Sequence, residues 1–267
     1  MEIIIKDTPE KVAEEILKRL KRIVHKKRHP VIGLPTGNTP KIIYKKMAEA
    51  HERGEVDFSE AIIFALDEYI GIPTDHPKST KTYFKENLLN RIDIPEKNLF
   101  FINGTPDDIK AECRRIEEAI RDVGGIDFQL LGVGRDGHIG FNEPGSSLRS
   151  RTRVKPLTFS TIKYLSKFFG SEEDTPRFCI TMGIGTIMDA KEVAIVAFGD
   201  EKKEAVKKCV EGPITSAFPA SIIQMHPKAR VYLDEKAASL LDEKEYYKWA
   251  YENKERMYDY LKNKKSG

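Results

Sequence analysis

Short apolar runs recur along the 267-residue chain with amphipathic stretches between them, and this alternation limits the fold more than any other feature. Residues 3–5, 31–34, 61–66, 128–133, 193–198 and 231–233 read as strands. Within residues 9–27, Val12, Ile16, Leu20 and Ile23 recur at helical spacing. Ile42, Ile43 and Met47 mark another helix, and residues 110–123 and 201–210 two more. The run 61–66 is apolar without alternation, as expected of a strand covered on both faces. Strands alternating with helices predict an α/β fold with a mostly parallel sheet between helical layers. No repeat, low-complexity segment or linker interrupts the pattern, so residues 1–267 are read as one domain.

The charge balance narrows the function. Lys and Arg number 45 and Asp and Glu 42, a net +3, without the basic excess of a nucleic-acid binder. Cys113, Cys179 and Cys209 form no Cys-x-x-Cys pair, which argues against disulfides and a cysteine zinc site and for a reducing compartment. Residues 1–7 are too quickly charged for a signal peptide, and no run reaches the roughly 18 apolar residues of a membrane span. A soluble, cytoplasmic protein is the expectation.

In such folds ligands bind beyond the carboxyl ends of the strands. Three of these places carry informative residues. Residues 33–40 read Gly-Leu-Pro-Thr-Gly-Asn-Thr-Pro, with Thr39 as a capping hydroxyl and Pro40 at the first helical position. Gly37 permits a tight turn, and Thr36 and Thr39 offer hydroxyls, which suits a phosphate; an ordinary strand-to-helix turn would look the same. Asp67 and Glu68 follow the apolar run 61–66. Side chains alternate along a strand, so one of the two faces the cleft, unless both only solvate the strand end.

The third place is residues 132–144. Gly132, Gly134 and Gly137 form a G-x-G-x-x-G, but Gly140, Asn142 and Pro144 spoil the helix that a dinucleotide fingerprint requires. The acid expected about 20 residues on is also missing. Instead Asp136 and His138 stand two apart, on one side of an extended backbone, with Glu143 in the same loop. A carboxylate-flanked His has a set tautomer and a raised pKa, as general acid–base chemistry needs. A catalytic zinc is not expected, because the other five His lie in unrelated segments and no His-Glu-x-x-His occurs. Next, Arg149, Arg151, Arg153 and Lys155 alternate as if along one strand face, followed by Lys163 and Lys167. They suit a small anion or a charge-protected strand edge.

These parts suit a sugar phosphate, which is held by charge-assisted hydrogen bonds worth about 1.5–3 kcal/mol each. Asp67, Asp136, His138 and Glu143 then remain for proton transfers next to a carbonyl or imine. The segments Gly33–Pro40, Leu66–Ile72, Leu130–Val154, Thr181–Ala190 and Phe218–Pro227 together resemble the glucosamine-6-phosphate deaminase family, in order and spacing. The resemblance implies a Rossmann-like three-layer α/β/α fold. It implies conversion of glucosamine 6-phosphate and water to fructose 6-phosphate and ammonia, without metal or organic cofactor. It makes His138 the ring-opening group, set by Asp136 and Glu143, and Asp67 the base that moves a proton from carbon 2 to carbon 1.

The same resemblance assigns phosphate contacts to Thr36, Gly37, Asn38, Thr39 and Lys202. Lys167 stands where family members carry an arginine on a mobile lid, here around residues 155–182; lysine keeps the charge without the bidentate fork. Ser146, Ser147, Arg153 and Lys155 match an effector site for N-acetylglucosamine 6-phosphate found in oligomeric members. A homo-oligomer is therefore a candidate state, and residues 243–264 read as a solvated or oligomer-packing helical extension. A 6-phosphogluconolactonase and a non-catalytic sugar-phosphate sensor are the rival readings. A lactonase has no use for a base that moves protons between carbons, and a sensor has no use for the full acid–base set.

Overall fold

The computed structural model describes residues 1–254 and 256. Among these described residues are ten strands: β1 (Glu2–Lys6), β2 (Val31–Leu34), β3 (Ile62–Ala65), β4 (Asp67–Tyr69), β5 (Leu99–Phe100), β6 (Phe128–Leu131), β7 (Arg153–Pro156), β8 (Phe178–Thr181), β9 (Val193–Ala197) and β10 (Ala229–Asp234). The helices are α1 (Pro9–Lys26), α2 (Lys41–Glu52), α3 (Thr80–Asn87), α4 (Ile109–Asp122), α5 (Phe159–Phe169), α6 (Ile184–Met188), α7 (Lys203–Val210) and α8 (Lys244–Glu252). Local chemistry starts the long ones. Thr8 caps α1 by accepting from Lys11 N, with Pro9 in the first turn, and Asp108 caps α4 by accepting from Lys110 N and Ala111 N.

Seven strands form one parallel sheet in the order β1-β10-β9-β6-β2-β3-β5. Neighbouring residues divide between its faces. Ile63, Leu130 and Val196 pack with Ile16, Tyr44 and Phe84 of α1, α2 and α3. Phe64, Leu131 and Ile195 pack on the opposite side with Ile116, Ile187 and Val206 of α4, α6 and α7. This is the three-layer α/β/α arrangement, and it explains why the central strands lack polar alternation.

A second, antiparallel sheet, β4-β8-β7, is anticipated in the sequence only at β7, by the alternating cations. The three residues of β4 are too few for a periodic signal. Leu66 alone separates β3 from β4, so the chain leaves the main sheet at the base of the candidate site. The expected four-cation strand is also shorter: β7 holds Arg153 and Lys155, while Arg149 and Arg151 precede it. Arg151 is drawn off by Glu117 and Asp189, to which it donates. Helix α5 covers the small sheet through Leu157, Ile162, Leu165, Phe141 and Cys179, and the Phe169 ring meets Tyr69 edge-on at 5.4 Å. The segment 155–182 thus comprises the end of β7, α5 and β8. Of the expected extension 243–264, α8 accounts for residues 244–252 and the part beyond 256 lies outside the described residues. Among the described residues no helix is long and apolar enough to cross a membrane.

Candidate active site

The loop after β2 carries Thr36, Gly37, Asn38 and Thr39. Gly37 has φ +110°, a left-handed conformation that glycine adopts without strain. Its carbonyl accepts from Tyr83 Oη of α3 at 2.5 Å, so the loop is tied at its tip. Thr39 does not cap α2. Pro40 takes the cap position with helical backbone angles, and the turn closes instead through Lys41 N donating to Asn38 O at 3.3 Å. Among the described residues the Thr36 and Thr39 hydroxyls make no hydrogen bond, and Gly37 and Asn38 are exposed.

Asp67 and Glu68 point to different neighbours. Glu68 Oε2 accepts from Thr80 N at 2.8 Å and Oε1 from Tyr69 N at 2.9 Å, which places it against the start of α3. Asp67 is buried, yet its carboxylate accepts no hydrogen bond from the described residues. A Cβ on Gly140 would lie 3.5 Å from Asp67 Oδ2 and 3.0 Å from Thr181 Oγ1, so Asp67 abuts the loop that carries His138. Burial raises the Asp67 pKa to about 7 against the opposing pull of His138. Burial likewise raises that of Glu68 to about 7.

That loop leaves β6 and folds over two left-handed glycines. Gly137 has φ +86°, and a Cβ there would strike the Phe218 ring at 2.5 Å; Gly140 has φ +54°. Gly134 N donates to His138 O at 2.9 Å and closes the turn. His138 Nδ1 stands 2.7 Å from Asp136 Oδ1 and 3.5 Å from Glu143 Oε2. Neither contact has the geometry of a full hydrogen bond, so both count as ion-pair contacts. Burial disfavours the charged ring, but Asp136 and Glu143 outweigh it and raise the pKa to about 9. Burial also works against the Asp136 anion, and His138 holds that carboxyl well below the usual range.

Lys202 lies in the short turn after β9 and donates to Val133 O at 2.9 Å, at the root of the same loop. Burial lowers its pKa, and Arg135 adds to that. The structure therefore groups Asp67, Asp136, His138, Glu143 and Lys202 around one loop. Lys167 is exposed on α5 and, among the described residues, makes no hydrogen bond or ion pair. Ser146 is buried with its Oγ unpaired, and Ser147 Oγ accepts from Arg149 N at 3.3 Å. Arg153 Nη1 donates to Asn142 Oδ1 at 2.9 Å, and Lys155 lies beside it on β7 with its carbonyl facing Cys179.

Three contributors escaped the sequence reading. Thr161 Oγ1 donates to Glu143 Oε1 at 2.6 Å from the first turn of α5, and Thr158, the α5 cap, stands nearby at 3.4 Å. Buried Asn142 spans the loop by donating to Ile139 O and Met182 O. A Thr-x-x-Thr before an apolar-periodic stretch announces a helix start, but nothing in the sequence says which carboxylate the second hydroxyl meets.

Asp136, His138 and Glu143 offer one ligand atom each, all within 4.8 Å of one another, so they are the described groups that could hold a cation. Ligation needs the neutral imidazole, whereas the raised pKa keeps the ring protonated at neutral pH. The donor set suits a proton better than a metal.

Residues 6–232 match the family model described as glucosamine-6-phosphate isomerases/6-phosphogluconolactonase. The chain is 47% identical over 249 residues to the glucosamine-6-phosphate deaminase of Hahella chejuensis, covering 93% of this chain and 95% of that one. It is 42% identical to the deaminase of Thermoanaerobacter pseudethanolicus, covering 92% and 97%. A solved monomeric glucosamine-6-phosphate deaminase aligns with a TM-score of 0.87 at 38% identity, over 90% of this chain and all of that one. The 6-phosphogluconolactonase of Trypanosoma brucei aligns at 0.70 with 22% identity, over 89% and 97%, a likeness of fold alone.

Proposed function

The chain belongs to the glucosamine-6-phosphate isomerase/6-phosphogluconolactonase family, and we propose that it is a glucosamine-6-phosphate deaminase of amino-sugar catabolism, releasing fructose 6-phosphate and ammonia. One observation carries the reading: Asp67, a buried carboxylate without a donor among the described residues, abuts the loop that holds a doubly carboxylate-flanked His138. Deaminases match this chain at 42–47% identity over more than nine-tenths of its length, whereas the lactonase likeness stops at the fold.

The phosphate sits in the loop Thr36, Gly37, Asn38 and Thr39, whose hydroxyls are not engaged in capping, with Lys202 alongside. Lys167 reaches it when the segment 155–182 moves as a lid. The charged His138 passes a proton to the ring oxygen as the sugar opens, and Asp136 and Glu143 keep the ring protonated until then. Asp67 takes the proton from carbon 2 to give an enolamine and returns one to carbon 1 to give a carbon-2 iminium; water adds at carbon 2 and the carbon–nitrogen bond breaks, leaving the ketone and ammonia. A carboxyl whose pKa is near 7 suits both halves of that transfer. Ring opening, proton transfer, addition of water and loss of ammonia account for the whole conversion, so neither metal nor organic cofactor is required.

Ser146, Ser147, Arg153 and Lys155 are the candidate effector site for N-acetylglucosamine 6-phosphate. Arg153 reaches the loop through Asn142, which gives such a site a physical route to His138. The chain works as one domain in the cytoplasm, and oligomerisation accompanies effector control. The test is ammonia release from glucosamine 6-phosphate, with and without the acetylated sugar phosphate, beside a 6-phosphogluconolactone control. Turnover of the lactone alone overturns the reading, and binding without ammonia release favours the sensor.

A further inference from the structure

We propose that Glu68 is a positioning residue for Asp67: with Thr80 it forms a clasp that fixes the backbone from which the base projects. The inference rests on the deaminase reading for its kinetic consequence, but not for its geometry. Asp67 has no hydrogen-bonded partner among the described residues to aim its carboxylate, so the aim comes from its backbone and rotamer. That backbone belongs to a three-residue strand, which is a weak anchor by itself.

Thr80 supplies what the strand lacks. Its backbone N–H donates to Glu68 Oε2 at 2.8 Å, and its hydroxyl donates to the Asp67 carbonyl at 3.0 Å. One residue at the start of α3 thus grips two consecutive residues of β4. Glu68 Oε1 closes the clasp on Tyr69 N at 2.9 Å. The free N–H groups of a helix start favour a negative charge, so the carboxylate and α3 stabilise each other. From above, Gly104 packs so closely that a Cβ there would fall 2.4 Å from Tyr69 O and 3.1 Å from Glu68 Cγ. Glu68 is 1% exposed, and Thr80 is buried as well. A buried acid serving only to end a strand would not need both oxygens satisfied by N–H groups from two elements.

The two acids also feel each other. The charge on Asp67 adds to burial in raising the pKa of Glu68. The other titratable groups facing Asp67 are His138 from the loop, Cys179 from β8 and Tyr44 from α2, with Tyr69 adjacent in β4.

Kinetics on the full chain test the clasp. Thr80→Val removes the hydroxyl and keeps the N–H, Thr80→Ser restores a hydroxyl, and Glu68→Gln removes the charge while keeping the shape. A misaimed base costs kcat, by roughly tenfold to a hundredfold for displacements of this order. The expected result is that loss for Thr80→Val and Glu68→Gln with KM unchanged, and recovery in Thr80→Ser. Unchanged kcat in the folded variants, or a Thr80→Ser no better than Thr80→Val, overturns the proposal.

A readout without substrate separates the clasp from the functional reading. The carbon-13 carboxyl signal of Glu68 should titrate at lower pH in Asp67→Asn, because a like charge has been removed; an unmoved midpoint counts against the pairing. A wild type that releases no ammonia would overturn the deaminase reading and leave the titration to judge the clasp.

Discussion

Thr161 Oγ1 donates to Glu143 Oε1 at 2.6 Å, so a helix of the segment 155–182 is bonded directly to a carboxylate of the candidate site. The other oxygen of that carboxylate faces His138 Nδ1 at 3.5 Å. Helix α5 and His138 therefore share one side chain, and any movement of α5 disturbs the surroundings of the imidazole.

Thr161→Val should lower kcat/KM for glucosamine 6-phosphate by about tenfold. Leaving a buried acceptor without its donor costs about 1–3 kcal/mol. Thr161→Ser should stay near wild type. Steady-state kinetics on the two variants decide it, and a fully active Val variant would show that α5 and Glu143 are not functionally linked.

Asp67→Asn should abolish isomerisation while sparing binding. Loss of a general base costs about 10²–10⁴-fold in rate. The amide is nearly isosteric and sits where no donor has to be rematched, so the fold should persist. Solvent-deuterium exchange at carbon 2 measures the lost step directly, and exchange at the wild-type rate would remove Asp67 from the role of base.

The pH–rate profile should be bell-shaped. Asp67 must be ionised to accept a proton, so activity rises through about pH 7. His138 must be protonated to donate one, so activity declines through about pH 9. In Asp136→Asn the ring loses an anionic neighbour at 2.7 Å, its charged form is less favoured, and the alkaline limb moves to lower pH. An alkaline limb that stays in place in this variant would assign it to another group.

If Lys202 holds the substrate phosphate, as proposed, Lys202→Ala should raise KM far more than it lowers kcat, because a spectator phosphate lies away from the reacting carbons. The variant also loses the bond to Val133 O that braces the loop root. Lys202→Gln, which can keep a neutral donor there, should recover less of the affinity for substrate than for the loop's stability. Inhibition by inorganic phosphate reads the first and thermal unfolding the second. Phosphate inhibition of equal strength in wild type and Lys202→Ala would place the anion elsewhere.

Much of the site was visible before folding because its signals are local. Asp136, His138 and Glu143 lie within eight positions of each other between glycines that only a bent loop needs. Asp67 follows an apolar run directly. Thr39 misled, since Ser/Thr-Pro marks a helix start without showing whether the hydroxyl or a backbone turn will close it. Thr161 and Thr80 carry no local signal, because their partners lie 18 and 12 or 13 residues away, across a change of direction in the chain.

The amino-acid sequence determined the layered parallel sheet and the strand ends at which chemistry gathers, because the spacing of apolar residues is a property of neighbours along the chain. The β4-β8-β7 sheet, the choice of Asp67 rather than Glu68 to abut the His138 loop, and the bond from α5 to Glu143 were decided by the tertiary structure. Each depends on which surfaces meet once the core has closed, and short strands and single hydroxyls leave no periodic trace of that meeting.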